Sequence, residues 1–212
     1  VYTPPPTETR KHYETIMDPI THQEWEAYIQ ALSDSAPGPT KFSYALLKHS
    51  PPLLKDTLRL ITNCCLALSE VPAQYRKSYL FPIPKVNGAA TVPQFRPIAL
   101  AKIGHKLLTG ILTQRITTLA HTAPHPLFNP AQFGGVFGRS TEDALLMWHN
   151  TLDVRHTTNT NIHALYADVS AAYDSVSTAS KTLSYWHAGL PDKFLQLVAA
   201  MDVGAQATVL AA

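Results

Sequence analysis

The chain has 212 residues, of which 45% are hydrophobic and 15% are charged, and its formal net charge is +2. These values exclude a disordered chain and allow a sizeable core in one domain or slightly more. No apolar run approaches the roughly 20 residues that cross a bilayer, and no secretion signal is visible, so we expect a soluble intracellular protein without membrane contact, in the nucleus or the cytoplasm.

Apolar residues at helical spacing predict five helices. In chain order they begin at Thr21, span Leu53–Leu68, span Lys102–Leu119, begin at Ser140 and follow Pro191. The fourth starts with a Ser-Thr-Glu-Asp sequence that has the form of a capping box, and a proline suits the first turn of the fifth.

Two strands are predicted between these helices. Tyr79–Ile83 contains a proline, which indicates an edge or irregular position. Ile162–Asp168 alternates in the manner of a strand. Helices with interspersed strands predict a mixed α+β domain. The adjacent Cys64 and Cys65 are expected to be buried structural thiols.

The charges are unevenly distributed along the chain. Residues 71–141 contain eight Lys and Arg and no Asp or Glu, whereas residues 142–212 contain three basic and seven acidic residues. A positive stretch beside an acidic one suits a phosphate-binding groove next to a cation site. An ordinary solvated basic surface is the alternative.

Asp168 ends the second predicted strand, before a turn at Ser170. A carboxylate at the lip of a sheet is a suitable Mg²⁺ ligand for phosphoryl transfer, because Mg²⁺ prefers hard oxygen donors on a rigid element. An aspartate that caps a turn at the end of a strand is the alternative.

The stretch around this residue, 167–176, reads ADVSAAYDSV and resembles motif A of reverse transcriptases. The resemblance implies that Asp168 is the catalytic, metal-binding carboxylate. Tyr173 would stack under the nucleotide sugar and exclude a ribose 2′-OH. Asp174 matches a common family residue that is not a metal ligand.

Two further stretches resemble the fingers motifs of the same family: residues 79–85 read YLFPIPK and residues 95–100 read FRPIAL. The resemblance implies that Lys85 and Arg96 bind the incoming triphosphate, since lysine offers a point charge and arginine a two-pronged donor. An Asn-Gly pair between them predicts a hairpin tip. Ordinary surface charges are the alternative reading of both residues.

Residues 36–51, APGPTKFSYALLKHSP, resemble the opening segment of non-LTR retrotransposon and group II intron enzymes. The family usually has Asp-Gly where Thr40 and Lys41 stand here. Residues 129–145, NPAQFGGVFGRSTEDAL, resemble the loop before motif A. There the resemblance implies that Gln132 and Arg139 bind nucleic acid, with a simple flexible loop as the alternative.

Taken together and in their order along the chain, these stretches resemble the reverse transcriptase of non-LTR retrotransposons. It implies a right-hand polymerase fold, with a flexible segment over residues 1–20, fingers over 21–160 and an incomplete palm over 161–212, truncated before motifs B and C. The implied partners are an RNA template, a DNA primer and dNTP, with Mg²⁺ as cofactor; no protein partner can be inferred.

One carboxylate cannot hold two metal ions, so these 212 residues are expected to be inactive as a polymerase on their own. Two alternatives stay open. The first is a fragment of a group II intron-type maturase, which shares the fingers motifs. The second is a nucleic-acid-binding relic that has lost catalysis.

Overall fold

The computed structural model describes residues 7–123, 127–136, 138–170, 172–173 and 175–210. This part of the chain combines helices with a small sheet, as the predicted α+β class requires. None of its helices is both long and apolar enough to cross a membrane. The helices are α1 (Thr7–Tyr13), α2 (His22–Ala31), α3 (Tyr44–Lys48), α4 (Pro52–Leu68), α5 (Ile103–Thr122), α6 (Thr141–Thr158), α7 (Thr178–His187) and α8 (Asp192–Asp202), and the strands are β1 (Lys77–Pro84), β2 (Phe95–Ala101) and β3 (Gln206–Val209).

The five helices predicted from the sequence correspond to α2, α4, α5, α6 and α8. Local signals explain where several of them start. The Thr21 side chain accepts the N–H of Glu24 at 3.1 Å and caps α2. Ser140 and Asp143 form the predicted capping box at the start of α6. Each of these side chains satisfies a backbone donor that the helix itself leaves free.

The core lies where α2, α4, α5 and α8 meet. Trp25, Leu107 and Leu197 are fully buried there. Trp25 also donates its indole N–H to the backbone oxygen of Lys55 at 2.8 Å, which joins α2 to α4. Burial of large side chains is the main favourable contribution to folding, so these helices form the stable body of the protein.

The described part of the N-terminal segment belongs to this core, so the expectation of a flexible arm over residues 1–20 is wrong from residue 7 onward. Tyr13 and Ile16 are fully buried and Ile20 is 1% exposed. The Ile20 carbonyl accepts hydrogen bonds from Arg59 at 3.0 Å and Asn63 at 3.1 Å. The three apolar residues are spaced at i, i+3 and i+7, the spacing of one side of a helix, and this is the signal in the sequence that could have predicted their burial.

The sheet has the strand order β2-β1-β3, with β1 antiparallel to β2 and parallel to β3. The strand predicted at Tyr79–Ile83 is therefore confirmed, but it is the central strand. Its proline is tolerated because β3 pairs only with Lys77–Leu80. Pro82 lies beyond that pairing and faces only β2, so no ladder hydrogen bond to β3 is lost there.

The strand predicted at Ile162–Asp168 is wrong: these residues have no regular secondary structure, and Leu165 and Tyr166 are 92% and 82% exposed. A strand needs a neighbour to pair its N–H and C=O groups. None of the three described strands pairs with this segment. The segment contacts α6 through the rings of Tyr166 and Trp148, which pack in a T-shaped arrangement with ring centroids 6.4 Å apart.

Only one of the two cysteines is buried. Cys65 is 3% exposed and belongs to the core, whereas Cys64 is exposed. The expectation of two buried thiols is wrong for Cys64, because consecutive residues of an α-helix point about 100° apart and cannot both face the same core.

Candidate functional site

The β1–β2 hairpin brings Lys85 and Arg96 together on one face. Arg96 lies directly across from Ile83, and the N–H of Lys85 donates to the backbone oxygen of Gln94 at 2.8 Å. Lys85 follows Ile83 by two residues, so its side chain is on the same face as those of Ile83 and Arg96. The two basic side chains are therefore diagonal neighbours, and both are exposed.

The hairpin tip holds this pair in place. Gly88 has a φ of +72°, the left-handed conformation that the predicted Asn-Gly turn requires. The Gln94 side chain accepts the N–H of Ala90 at 2.8 Å and of Thr91 at 3.0 Å. Lys85 donates its amino group to the Pro93 carbonyl at 2.9 Å. Since that bond is exposed, a phosphate oxygen could replace the carbonyl.

The same face carries residues that the sequence reading missed. Lys77, Phe81 and Ile98 share it with Lys85 and Arg96, by strand alternation and by the pairing of Phe81 with Ile98. Phe81 is 40% exposed and Ile98 is 41% exposed. We call this surface the outer face of the hairpin. Period-two alternation backward from Lys85 is the signal that could have revealed it.

Several basic side chains of residues 71–141, the stretch without Asp or Glu, form ion pairs or hydrogen bonds within the protein. Arg115 forms an ion pair of 2.7 Å with Glu24. Arg76 donates to the Ala200 carbonyl at 2.8 Å and lies 3.3 Å from Glu70. Fewer than the eight basic residues of positions 71–141 are therefore free to bind phosphate.

Lys106 is engaged as well. Its amino group donates to the Ala36 carbonyl at 2.6 Å and lies 5.7 Å from the centre of the Tyr44 ring. Burial lowers the pKa of Lys106, because removal from water disfavours the charged amine. Lys106 thus ties the turn at residues 36–39 to α5.

The same turn packs against the end of β2. A Cβ on Gly38 would lie 2.0 Å from the Ala101 backbone oxygen, so only glycine fits this approach. Lys41 donates its N–H to the Gly38 carbonyl at 2.9 Å and has a φ of +55°, a conformation that favours glycine. Two stretches that are far apart in sequence, 36–41 and 95–101, therefore meet in the fold.

The loop before α6 is organised by Arg139. Its Nη1 donates to the carbonyls of Asn129 at 2.7 Å and Gln132 at 2.6 Å. Gly135 and Gly138 have positive φ values of +73° and +78° in this loop. The Gln132 side chain is exposed, whereas the guanidinium of Arg139 shapes the loop from within. Contact of either residue with nucleic acid stays a prediction.

Asp168 and Tyr173 lie in the irregular segment after α6. Both are exposed, and Tyr173 retains 96% of its accessible surface. Asp174 lies outside the described residues. In the part of the chain that is described, no three or more His, Cys, Asp or Glu side chains form a possible metal cluster. Asp168 offers one oxygen ligand, and this falls short of the set that two Mg²⁺ ions need.

Comparison with known proteins adds no family to these observations. No protein-family model matches the chain, and no curated protein sequence matches it.

Proposed function

We propose that the chain is part of an RNA-directed DNA polymerase of the non-LTR retrotransposon type, comprising the fingers and the beginning of the palm. The observation that carries the proposal is the adjacency of Lys85 and Arg96 on the exposed outer face of the hairpin. Two neighbouring cations, one of them a guanidinium, suit the oxygens of a triphosphate.

The backbone at Lys41 gives independent support. Its φ of +55° is a conformation that costs an ordinary residue roughly 1–2 kcal/mol relative to glycine. The reverse transcriptases that residues 36–51 resemble usually have glycine at this position. The turn is therefore compatible with the family's geometry even though the residue differs.

In this proposal, Lys85 and Arg96 neutralise the phosphates of the incoming dNTP. Phe81, the diagonal neighbour of Arg96 on the side away from Lys85, offers an apolar surface for a base. Tyr173 excludes a ribose 2′-OH. The partners are an RNA template, a DNA primer and dNTP. Mg²⁺ belongs to the intact enzyme, where Asp168 supplies one of its ligands.

A nucleic-acid-binding relic is the second candidate. The observation that favours it is the exposed, irregular course of the segment that carries Asp168, which fixes no ligand geometry. Both candidates require phosphate binding by the hairpin and differ in whether catalysis follows. A group II intron-type maturase shares the same fingers motifs and the same expected hairpin function.

The test is a titration of the full chain with a fluorescent dNTP in Mg²⁺ buffer, followed by anisotropy. Lys85→Ala and Arg96→Ala are each expected to weaken binding about tenfold, since a lost charge-assisted hydrogen bond costs about 1.5–3 kcal/mol. Lys193→Ala is the matched control, because Lys193 is exposed on α8, outside the hairpin. Equal affinities in all four proteins would overturn the assignment of this site.

A further inference from the structure

The solvent-exposed side of α4 carries no charge. The most exposed residues along this 17-residue helix are Pro, Leu, Thr, Cys and Ala. Leu53 is 80% exposed, Leu60 is 51% exposed and Leu68 is 71% exposed. Surface helices normally turn charged or polar residues outward, so this surface is unusual for a helix in water.

The two basic residues of α4 turn to its own chain instead, whereas the side chain of Asp56 stays 38% exposed. Lys55 lies 3.8 Å from Glu26, and Arg59 lies 2.8 Å from Asp56. Both basic side chains are at least four-fifths buried. Because these cations are used inside the protein, the outward side is left to Leu53, Thr57, Leu60, Cys64 and Leu68, which we call the α4 stripe.

The spacing of the α4 stripe is nearly the same in both directions. Leu53 and Leu68 are equally distant from a point midway between Leu60 and Ile61, as are Thr57 and Cys64. Two copies that pair antiparallel would place Leu53 against Leu68 and Thr57 against Cys64. A two-fold symmetric interface requires this self-complementarity, because the same surface meets itself.

The two ends of α4 are electrically complementary in the same arrangement. No acidic residue lies in its first turn, and no side chain caps its N-terminus. Just beyond its C-terminus stands Glu70, whose side chain is 67% exposed although it lies 3.3 Å from Arg76. Antiparallel pairing brings the Glu70 carboxylate near the positive N-terminal end of the other helix, whereas parallel pairing joins like ends.

A groove lies beside the α4 stripe and can receive its leucines. It has a volume of about 410 Å³ and is lined by four residues of the stripe together with Ile61, Cys65, Val71, Pro72 and the charged Glu70. Packing of a ridge into a groove is the usual way in which helices meet.

We propose that the α4 stripe is a docking surface for a second copy of this chain, in an antiparallel arrangement centred between Leu60 and Ile61. A helix of 17 residues is about 25 Å long, so the contact is smaller than the roughly 800 Å² per partner of a standard interface. The dimer is therefore expected to be weak, and its formation to depend on protein concentration. This inference does not depend on the proposed function.

The first test is analytical ultracentrifugation of the full chain over a range of concentrations. The unmodified chain is expected to dimerise, and Leu60→Glu is expected to weaken dimerisation at least tenfold. Leu145→Glu is the matched control, because Leu145 is 57% exposed on α6 and Leu60 is 51% exposed on α4. A monomer at about 100 μM, or equal effects of the two variants, would overturn the proposal.

A cross-linking test checks the register. The Thr57→Cys variant is expected to form a disulfide with Cys64 of the second copy when a mild oxidant removes two electrons and two protons. The unmodified chain is expected not to cross-link, since the two Cys64 residues lie about 10 Å apart along the antiparallel helices, beyond disulfide reach. A Cys64–Cys64 disulfide in the unmodified dimer would indicate parallel pairing and overturn the arrangement.

Discussion

Arg115 binds Glu24 through two parallel hydrogen bonds, Nε to Oε1 and Nη2 to Oε2, each 2.7 Å long. The remaining terminal nitrogen of the guanidinium donates to the carbonyls of Ile16 and Asp18, both at 2.7 Å. One side chain of α5 thereby fixes the start of α2 and the stretch of chain between α1 and α2. The planar fork of arginine suits this arrangement, and lysine cannot reproduce it.

Arg115→Ala is expected to lower the free energy of unfolding by about 2 kcal/mol, because it leaves a part-buried carboxylate and backbone oxygens without donors. Arg115→Lys should recover only part of this loss. Urea denaturation followed by circular dichroism measures the effect. Lys11→Ala is the control, since Lys11 is exposed on α1. A change no larger than that of the control would contradict the role of Arg115.

Lys41→Gly is expected to stabilise the protein by about 1 kcal/mol. Lys41 has a φ of +55°, and glycine adopts this conformation without the steric cost that a Cβ imposes. Thermal unfolding measures the gain. Lys48→Gly, a substitution within the helix α3, should destabilise instead. Destabilisation by Lys41→Gly would show that the lysine side chain itself holds the turn.

Gly38→Ala is expected to destabilise the protein by more than about 1 kcal/mol. The added Cβ would lie 2.0 Å from the Ala101 carbonyl oxygen, and a backbone atom cannot move aside as a side chain can. Gly134→Ala should have almost no effect, since nothing lies within 4 Å of the position of its Cβ. Equal midpoints of urea unfolding for the two variants would mean that the turn does not abut β2.

The two thiols are expected to differ in reactivity. Burial, with a smaller contribution from the charge of Cys64, raises the pKa of the Cys65 thiol to about 11, because the thiolate is poorly solvated. Cys64 is exposed. Iodoacetamide at neutral pH should therefore modify Cys64 alone in the native protein and both residues in urea. Mass spectrometry of the digested protein gives the answer, and native modification of Cys65 would argue against its burial.

Helices and the hairpin could be predicted from the sequence because their signals are local. The capping pair Ser140 and Asp143, the Asn-Gly turn at Gly88 and the apolar spacing that includes Trp25 each act within a few residues. Such signals do not depend on the tertiary structure, so they can be recognised from the sequence alone.

Pairing and long-range contacts could not be predicted in the same way. The alternation of Ile162–Asp168 is that of a strand, but it does not reveal whether a partner strand lies beside it. The four residues of β3 carry too little pattern to be recognised. Likewise, the positive charge counted in the sequence includes Arg115, whose partner Glu24 lies 91 residues away.

The basic residues of the candidate site were predicted from the sequence, whereas the apolar residues beside them were not. Lys85 and Arg96 were identified from a family resemblance, and the register of the hairpin makes them neighbours. Phe81 and Ile98 on the same face emerge only once that register is known. The roles of all four in binding stay predictions.

The central claim, which both candidate functions share, is that the outer face of the hairpin binds phosphates. Filter binding of an RNA–DNA hybrid as a function of salt tests it most directly. Three basic residues, Lys77, Lys85 and Arg96, lie on this face. The logarithm of the association constant should therefore fall with the logarithm of the salt concentration at a slope of about −2 to −3. The double variant Lys85→Ala/Arg96→Ala should reduce the slope by roughly 2, whereas Lys193→Ala should leave it unchanged. A slope near zero for the unmodified chain, or an unchanged slope in the double variant, would contradict the claim.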